Sequence, residues 1–184
     1  MYPWLRVSGA YIRTLGKARV DLLAMTSIRL RVWPNDLDIN RHVNNGRYLT
    51  LADLARMDWF LRTGVFAAAR QHQAFPVIGD AIAKFRRDLR LFQSFEIRTR
   101  MIGWDHKWGF LEHRFVRAGR IIGVVAIRGV FKSPQGPVDP QQLLAQLHQQ
   151  KASPECPVWA NNFHQAAESL SALLREEERR EGLR

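Results

Sequence analysis

Cysteine is almost absent: Cys156 is the only one in 184 residues. That excludes an internal disulfide framework and fits a reducing, cytoplasmic setting. Long apolar runs are lacking too, and no stretch approaches the roughly 20 residues that span a bilayer. The first 25 residues, MYPWLRVSGAYIRTLGKARVDLLAM, are broken by Arg6, Arg13, Lys17 and Arg19, so they do not form the apolar core of a signal peptide. There is no zinc-finger spacing, helix-turn-helix pattern or RNP-like aromatic string, which sets nucleic acid aside as a partner. There is no serine nucleophile elbow, Cys–His pair or cluster of metal ligands, so neither that kind of covalent catalysis nor a resident metal is expected. Acidic residues are outnumbered, 17 against 28 Lys and Arg, for a net charge of +11. Such an excess is either a basic solvated surface or an attraction for an anionic partner: CoA phosphates, an acidic carrier protein or a membrane face.

What is present fits one globular domain with extensions. The chain is 46% hydrophobic and 24% charged, and its length is enough to bury a core. Thr26 to Trp33 alternates Ile28, Leu30 and Val32 with Ser27, Arg29 and Arg31, the pattern of a half-buried strand, and Pro34 ends it. Gly46 to Thr63 reads as a helix that is apolar nearly all round, hence buried. Thr63-Gly64 stops it, and Val65 to His72 supports another turn or two. Period two then returns in Val77–Arg87 and Phe95–Trp104. It continues in a hairpin of Trp108–Arg117 and Arg120–Lys132 across Ala118-Gly119. Ser133 to Pro140 is a proline-rich exit from the sheet. Pro140–Gln150 and Val158–Arg180 read as helices, the last ending in the charged EEERREGLR.

The densest polar chemistry lies in DLDINRHVNNGRYLTLADLAR, residues 36–56. Two Asp, three Asn, a His and a Tyr precede or open the buried helix. A helix start offers unpaired N–H groups and a partial positive charge, where an oxyanion is favoured and a nearby carboxylate or imidazole can move protons. Asp38, Asn40 and His42, at i, i+2 and i+4 of an irregular loop, can point the same way. Taken alone, Asp38 is equally a loop residue bonding local backbone, and His42 a structural histidine. Asn44 or Asn45 is placed to cap the helix.

DLDINRHVNN is similar to the D-L-D-x-N-x-H-V-N-N signature of plant acyl-carrier-protein thioesterases, which have the hotdog fold. With RYLTLADLAR, KFRRDLRLFQSFEIRTRMIGWD and FLEHRFV, about Met25 to Lys132 resembles the thioesterase superfamily member six type of acyl-CoA thioesterase-like proteins. The resemblance implies an α+β hotdog fold, a curved antiparallel sheet wrapped around a central buried helix, with added N- and C-terminal helices. The element order read above agrees. It divides the chain into 1–25, a helical extension; 26–132, the hotdog domain; and 133–184, a second helical extension.

The same resemblance implies a hydrolase that cleaves acyl-CoA or acyl-carrier-protein thioesters without a cofactor, the CoA thioester being substrate. Asp38 matches the catalytic carboxylate, as general base or nucleophile. Asn40 and His42 match its companions, and Asp36 matches a structural Asp. Asn45 matches the residue whose backbone N–H faces the thioester oxygen, and Tyr48 is placed with it at the substrate. The family's usual Gly before the His is Arg41 here. Its acidic string on the following strand becomes KFRRD, with Lys84 at the first acidic position and Asp88 at the second. Asp53 stands where many relatives carry a helical Glu and is read as a satisfied helix residue. Arg86, Arg87 and Arg90 are either a solvated strand end or a contact for CoA phosphates. A homodimer or homotetramer is expected.

Two rival activities are an enoyl-CoA hydratase or dehydratase and a non-catalytic acyl-binding protein. The hydratase string D-x-N-P-x-H is one residue longer and contains a Pro, whereas here Arg41-His42 follow Asn40 directly. The N-terminal segment is read as a helix packed on the domain. The other reading lays it on a membrane surface through Trp4, Leu5, Tyr11 and Leu15.

Overall fold

A computed structural model describes residues 4–149 and 151–182, the side chains of residues 4, 5, 7 and 10 excepted. Its elements in order are α1 (Trp4–Leu15), β1 (Thr26–Arg31), a 3₁₀ turn (Pro34–Asp36), α2 (Asn45–Thr63) and α3 (Val65–Gln71). Then come β2 (Phe75–Phe85), β3 (Ser94–Trp104), β4 (Gly109–Arg117), β5 (Arg120–Ser133) and β6 (Gly136–Val138), and finally α4 (Pro140–Gln146) and α5 (Val158–Arg180). One curled antiparallel sheet runs β1-β3-β4-β5-β2, with β6 added to β5. It wraps α2, as the hotdog expectation requires.

Local chemistry accounts for the elements. The Asn44 side chain accepts from the Gly46 N–H at 2.9 Å and so caps α2. Gly64, at φ 80°, ends it in the left-handed conformation that glycine adopts without strain. Along α2, Leu51, Ala52, Leu54, Ala55, Asp58 and Trp59 are all buried, which covers every side of a 3.6-residue helix. Its one buried acid on the α1 side, Asp58, takes Thr14 Oγ1 at 2.8 Å and Lys17 Nζ at 2.6 Å. These bonds fix α1 and the segment after it against α2. The packed-helix reading of the N-terminal segment therefore agrees with the structure. Of the residues in the membrane-lying reading, Tyr11 and Leu15 are exposed, while the side chains of Trp4 and Leu5 lie outside the described residues.

The β4–β5 hairpin turns on Ala118 and Gly119, both at positive φ (47° and 73°). That is the sense that matches the right-handed twist of the flanking strands. On the α2 side of the sheet, Phe95, Ile97, Leu111, Phe115, Val125 and Ile127 form one core with the helix. The opposite side carries α5, held through Ala160, which packs with Ile102 and Phe110. A buried Arg128 ties it further, pairing with Asp80 of β2 and with Glu168 of α5, the latter at 2.6 Å. From Ala172 onward α5 is exposed but remains helical to Arg180.

Two expectations need adjusting. The proline-rich exit at 133–140 is not only an exit, because Gly136–Val138 doubles back to pair with β5. The helix expected over Pro140–Gln150 ends at Gln146, where Leu147 N–H closes onto the carbonyls of Leu143 and Leu144. Gln150 lies outside the described residues.

Candidate active site

Asp36 builds the loop. Its carboxylate is fully buried and accepts from Trp33 N at 2.9 Å, while Arg6 of α1 and Arg47 of α2 pair with it at 2.8 and 2.9 Å. Its own carbonyl accepts from Asn44 N at 2.9 Å. One carboxylate thus ties the end of β1, α1 and the first turn of α2 into a frame. The structural role expected for Asp36 is what the structure shows.

Inside that frame the chain makes a tight excursion from Asp38 to His42. Asp38 N–H donates to His42 O and Arg41 N–H to Asp38 O, both at 3.0 Å. Arg41 sits at φ 60°, the left-handed region where glycine is the unstrained choice. This explains why a glycine is usual at the position. The turn brings Asp38 Oδ2 to 3.6 Å from His42 Nδ1, with the two side chains 21% and 30% exposed. The other Asp38 oxygen accepts from Asn40 N at 2.9 Å, so Asn40 contributes its backbone to hold the carboxylate, and its side chain is exposed. His42 Nδ1 also lies 3.4 Å from Val43 O. With two acceptors on that side, the Nδ1–H tautomer is favoured, which leaves Nε2 as the free acceptor.

The helix start lies next to this pair. The N–H groups of Asn44, Gly46 and Arg47 are taken by Asp36 O, Asn44 Oδ1 and Asn44 O. The Asn45 N–H has no acceptor among the described residues, as helix geometry leaves it. Asn44, not Asn45, is the cap, and this frees Asn45 for the role the resemblance implies.

Of the basic residues, Arg90 is brought beside the loop. His42 and Arg90 form an isolated β-bridge, and Val43 N–H donates to Leu89 O at 2.8 Å. Leu89 and Arg90 therefore lie along the motif loop, while the N–H groups of Arg86 and Arg87 both donate to Ile122 O of β5. Arg86, Arg87 and Arg90 are all exposed, and each follows β2 at the end where Phe85 meets Tyr48.

Tyr48 is the exception among the expected site residues. Only 3% exposed, its ring packs against Phe85 and Phe115 at centroid distances of 5.0 and 4.8 Å. It is core, because the first inward turn of α2 is already beneath the sheet. Burial, with Asp88 adding to it, pushes its phenol up to about 12. Asp53 pairs with Arg56 on the same helix, in keeping with a satisfied helix residue. Lys84 is exposed and lines a groove with Glu112 and Trp159 on the α5 side of the sheet, away from the motif loop. Among the described residues no cluster of His, Cys, Asp and Glu could hold a metal ion.

The pattern of the thioesterase-like superfamily matches residues 32–147, more than half of the chain. The chain belongs to that superfamily. Protein THEM6 of Xenopus laevis is 42% identical over 118 residues, which is 61% of this chain and 56% of that protein. The chain spans about half the length of the curated relatives it matches. Among solved structures, the probable thioesterase YbaW of Escherichia coli superposes with a TM-score of 0.62 at 23% identity, covering 67% of this chain and 96% of that one. BH1999 gentisyl-coenzyme A thioesterase superposes with a TM-score of 0.57 at 22% identity, covering 67% and 100%. At such identities the two structures establish the hotdog fold of this superfamily member and no more.

Proposed function

We propose that this thioesterase-like protein hydrolyses acyl thioesters of CoA or acyl-carrier protein, with the Asp38–His42 loop and the start of α2 as its catalytic centre. The observation that carries the reading is the meeting of three groups in one place. These are a half-buried carboxylate, an imidazole 3.6 Å from it, and an unpartnered helix-start N–H at Asn45. The thioester carbonyl oxygen points at that N–H. Positive potential at the helix end then stabilises the tetrahedral oxyanion, worth about 2.7–4 kcal/mol for a well-placed donor. Asp38 acts on the carbonyl carbon, by deprotonating water or by direct attack. Asn40 keeps the carboxylate in place through its backbone N–H, and His42 Nε2 exchanges a proton with water or the leaving thiolate. Exposed Arg86, Arg87 and Arg90 receive the phosphates of the thiol carrier. BH1999, of the same fold, is a gentisyl-coenzyme A thioesterase, which supports CoA as the carrier to try first.

The same reading includes a homodimer. β2 is an edge strand of 11 residues, and Phe75, Val77, Ile78, Ile82 and Phe85 on it are each at least 40% exposed. A long apolar edge with free ladder groups pairs with another strand unless covered. A twofold pairing of β2 with its copy covers it and continues the sheet.

Thiol release from a panel of acyl-CoA chain lengths tests the activity. Asp38→Asn keeps the loop's shape and removes the base or nucleophile, so kcat is expected to fall by at least about 10²–10⁴-fold. Full turnover by Asp38→Asn on every thioester that the unaltered protein cleaves refutes the assignment.

A further inference from the structure

α5 is longer than the surface it covers. Ala160 packs with Ile102 of β3 and Phe110 of β4, and Glu168 pairs with Arg128 of β5, which pairs in turn with Asp80 of β2. The helix therefore crosses the outer face of the sheet towards the β2 edge. From Glu168 to Arg180 it runs on for about 18 Å at 1.5 Å per residue, while β2 lies only about 4.8 Å past β5. Its end therefore projects past the sheet on the β2 side. Every residue from Ala172 to Arg180 is exposed, and so short a piece of helix is marginal in water without packing.

One side of this projection is apolar. Trp159, Phe163, Ala166, Leu170, Leu173 and Leu174 follow one another at spacings of three and four, which places them on a single stripe. Leu170, Leu173 and Leu174 are 53%, 51% and 48% exposed. Trp159, at the head of the stripe, lines a groove of ≈ 320 Å³ with Ile82, Lys84, Val124 and Ala126, so stripe and groove lie on the same side of α5. Leu173 is 14 residues along the same straight helix from Trp159, about 21 Å, and so cannot reach its own groove. A copy related by a twofold axis at β2 can bring its Leu173 there. The charges agree with this: Glu177 continues the stripe, and Lys84 stands exposed in the groove. Residues 175–181 hold four Glu against three Arg, a poor match to an anionic lipid surface, which attracts basic helices.

We propose that the second half of α5 lies across the outer sheet face of a second copy of this chain, with Leu170, Leu173 and Leu174 in the groove at the partner subunit's Ile82 and Trp159. This rests on the β2 pairing put forward under Proposed function and adds to it a helix exchanged by each subunit. Neither test below needs thioester hydrolysis. Sedimentation velocity of the full chain measures dimer dissociation. Leu173→Glu/Leu174→Glu alters only exposed positions, so folding, read by circular dichroism, should be unchanged. The dissociation constant should rise about tenfold for each helix withdrawn, hence about a hundredfold for the symmetric pair. Contact is read directly by mixing two tagged variants, Lys84→Cys and Leu173→Cys, each also carrying Cys156→Ser, and adding a short bismaleimide. A mixed cross-linked dimer is expected. A dimer whose dissociation constant is unmoved by Leu173→Glu/Leu174→Glu, or which gives no mixed cross-link, overturns the exchanged helix and leaves the β2 pairing standing. A monomeric unaltered protein at micromolar concentration removes both. Unmoved dimer dissociation with loss of binding to phosphatidylserine vesicles would make the stripe a lipid contact, and overturns the proposal as well.

Discussion

Replacing Asp36 by Asn tests how the motif loop is held. The change keeps the side chain's shape and an oxygen for Trp33 N–H, and it removes one negative charge from a cluster with Arg6 and Arg47. The side-chain exposures are 0% for Asp36, 16% for Arg6 and 15% for Arg47, so water replaces little of what is lost. Two charge-assisted interactions weaken, each worth about 1.5–3 kcal/mol. The pair of arginines is then left facing each other without a counter-charge. Allowing for the small exposure of both guanidinium groups, a destabilisation of about 3 kcal/mol follows, near the lower end of that sum. For a domain of this size that lowers Tm by about 6–12 °C. Arg6→Met leaves Asp36 paired with Arg47 and should cost only about 1–2 kcal/mol. The Arg6→Met/Asp36→Asn double variant should therefore be less destabilised than the sum of the two singles, by about 0.5–3 kcal/mol of coupling. Thermal unfolding of the three variants by circular dichroism measures all of this. A drop of less than about 3 °C for Asp36→Asn, or strict additivity in the cycle, would refute the frame drawn around Asp36.

Acid should destabilise the protein through His113, which is fully buried with Thr99 Oγ1 at 2.9 Å. Burial, and then the Arg56 guanidinium, hold its pKa well below the ordinary 6.5. The unfolded chain therefore takes up a proton below about pH 6.5 that the folded chain refuses, and stability falls by up to about 1.4 kcal/mol per pH unit beneath that point. In His113→Gln this contribution to the acid slope, read by urea unfolding between pH 7 and pH 5, should vanish; an unchanged slope contradicts it. Ile82→Lys, on the β2 edge, should shift the light-scattering mass from dimer to monomer at micromolar concentration, and an unaltered protein that is already a monomer rules out the β2 pairing. Gly123→Ala puts a Cβ 3.2 Å from both the Tyr48 ring and the Lys84 carbonyl. It should cost about 1–3 kcal/mol of stability by overpacking, and a neutral effect in thermal unfolding would mean Tyr48 is less firmly seated.

Much of the architecture was legible in the chain because it depends on periodicity, and periodicity is local. Ile28, Leu30 and Val32 alternate, the run from Gly46 to Thr63 is apolar nearly all round, and Ala118-Gly119 interrupts two alternating runs. Each pattern states which side of an element meets the core, so strands, central helix and hairpin followed. The short pieces did not: three residues at Pro34–Asp36 and three at Gly136–Val138 are too few to show a period. The motif string likewise indicated Asp38, Asn40 and His42, and the structure brings Asp38 and His42 to 3.6 Å. Arg41 showed only as a departure from the usual glycine until its φ of 60° gave the reason.

Tertiary structure alone decided which distant residues meet. Asp36 holds Arg6, 30 positions away, and Arg128 holds Glu168, 40 positions away. A buried charge in a strand announces that it needs a partner, but no spacing rule says which one. Tyr48 was assigned to the substrate from its place beside the motif. It is core because the helix passes beneath Phe85 and Phe115 within its first turn, a fact about sheet curvature. The apolar cavity lined by Trp59, Phe60 and Leu143 belongs to the same class. Its walls come from α2, α4 and strands β2 to β5, and a void is a property of how surfaces fail to meet, which no single stretch of sequence records.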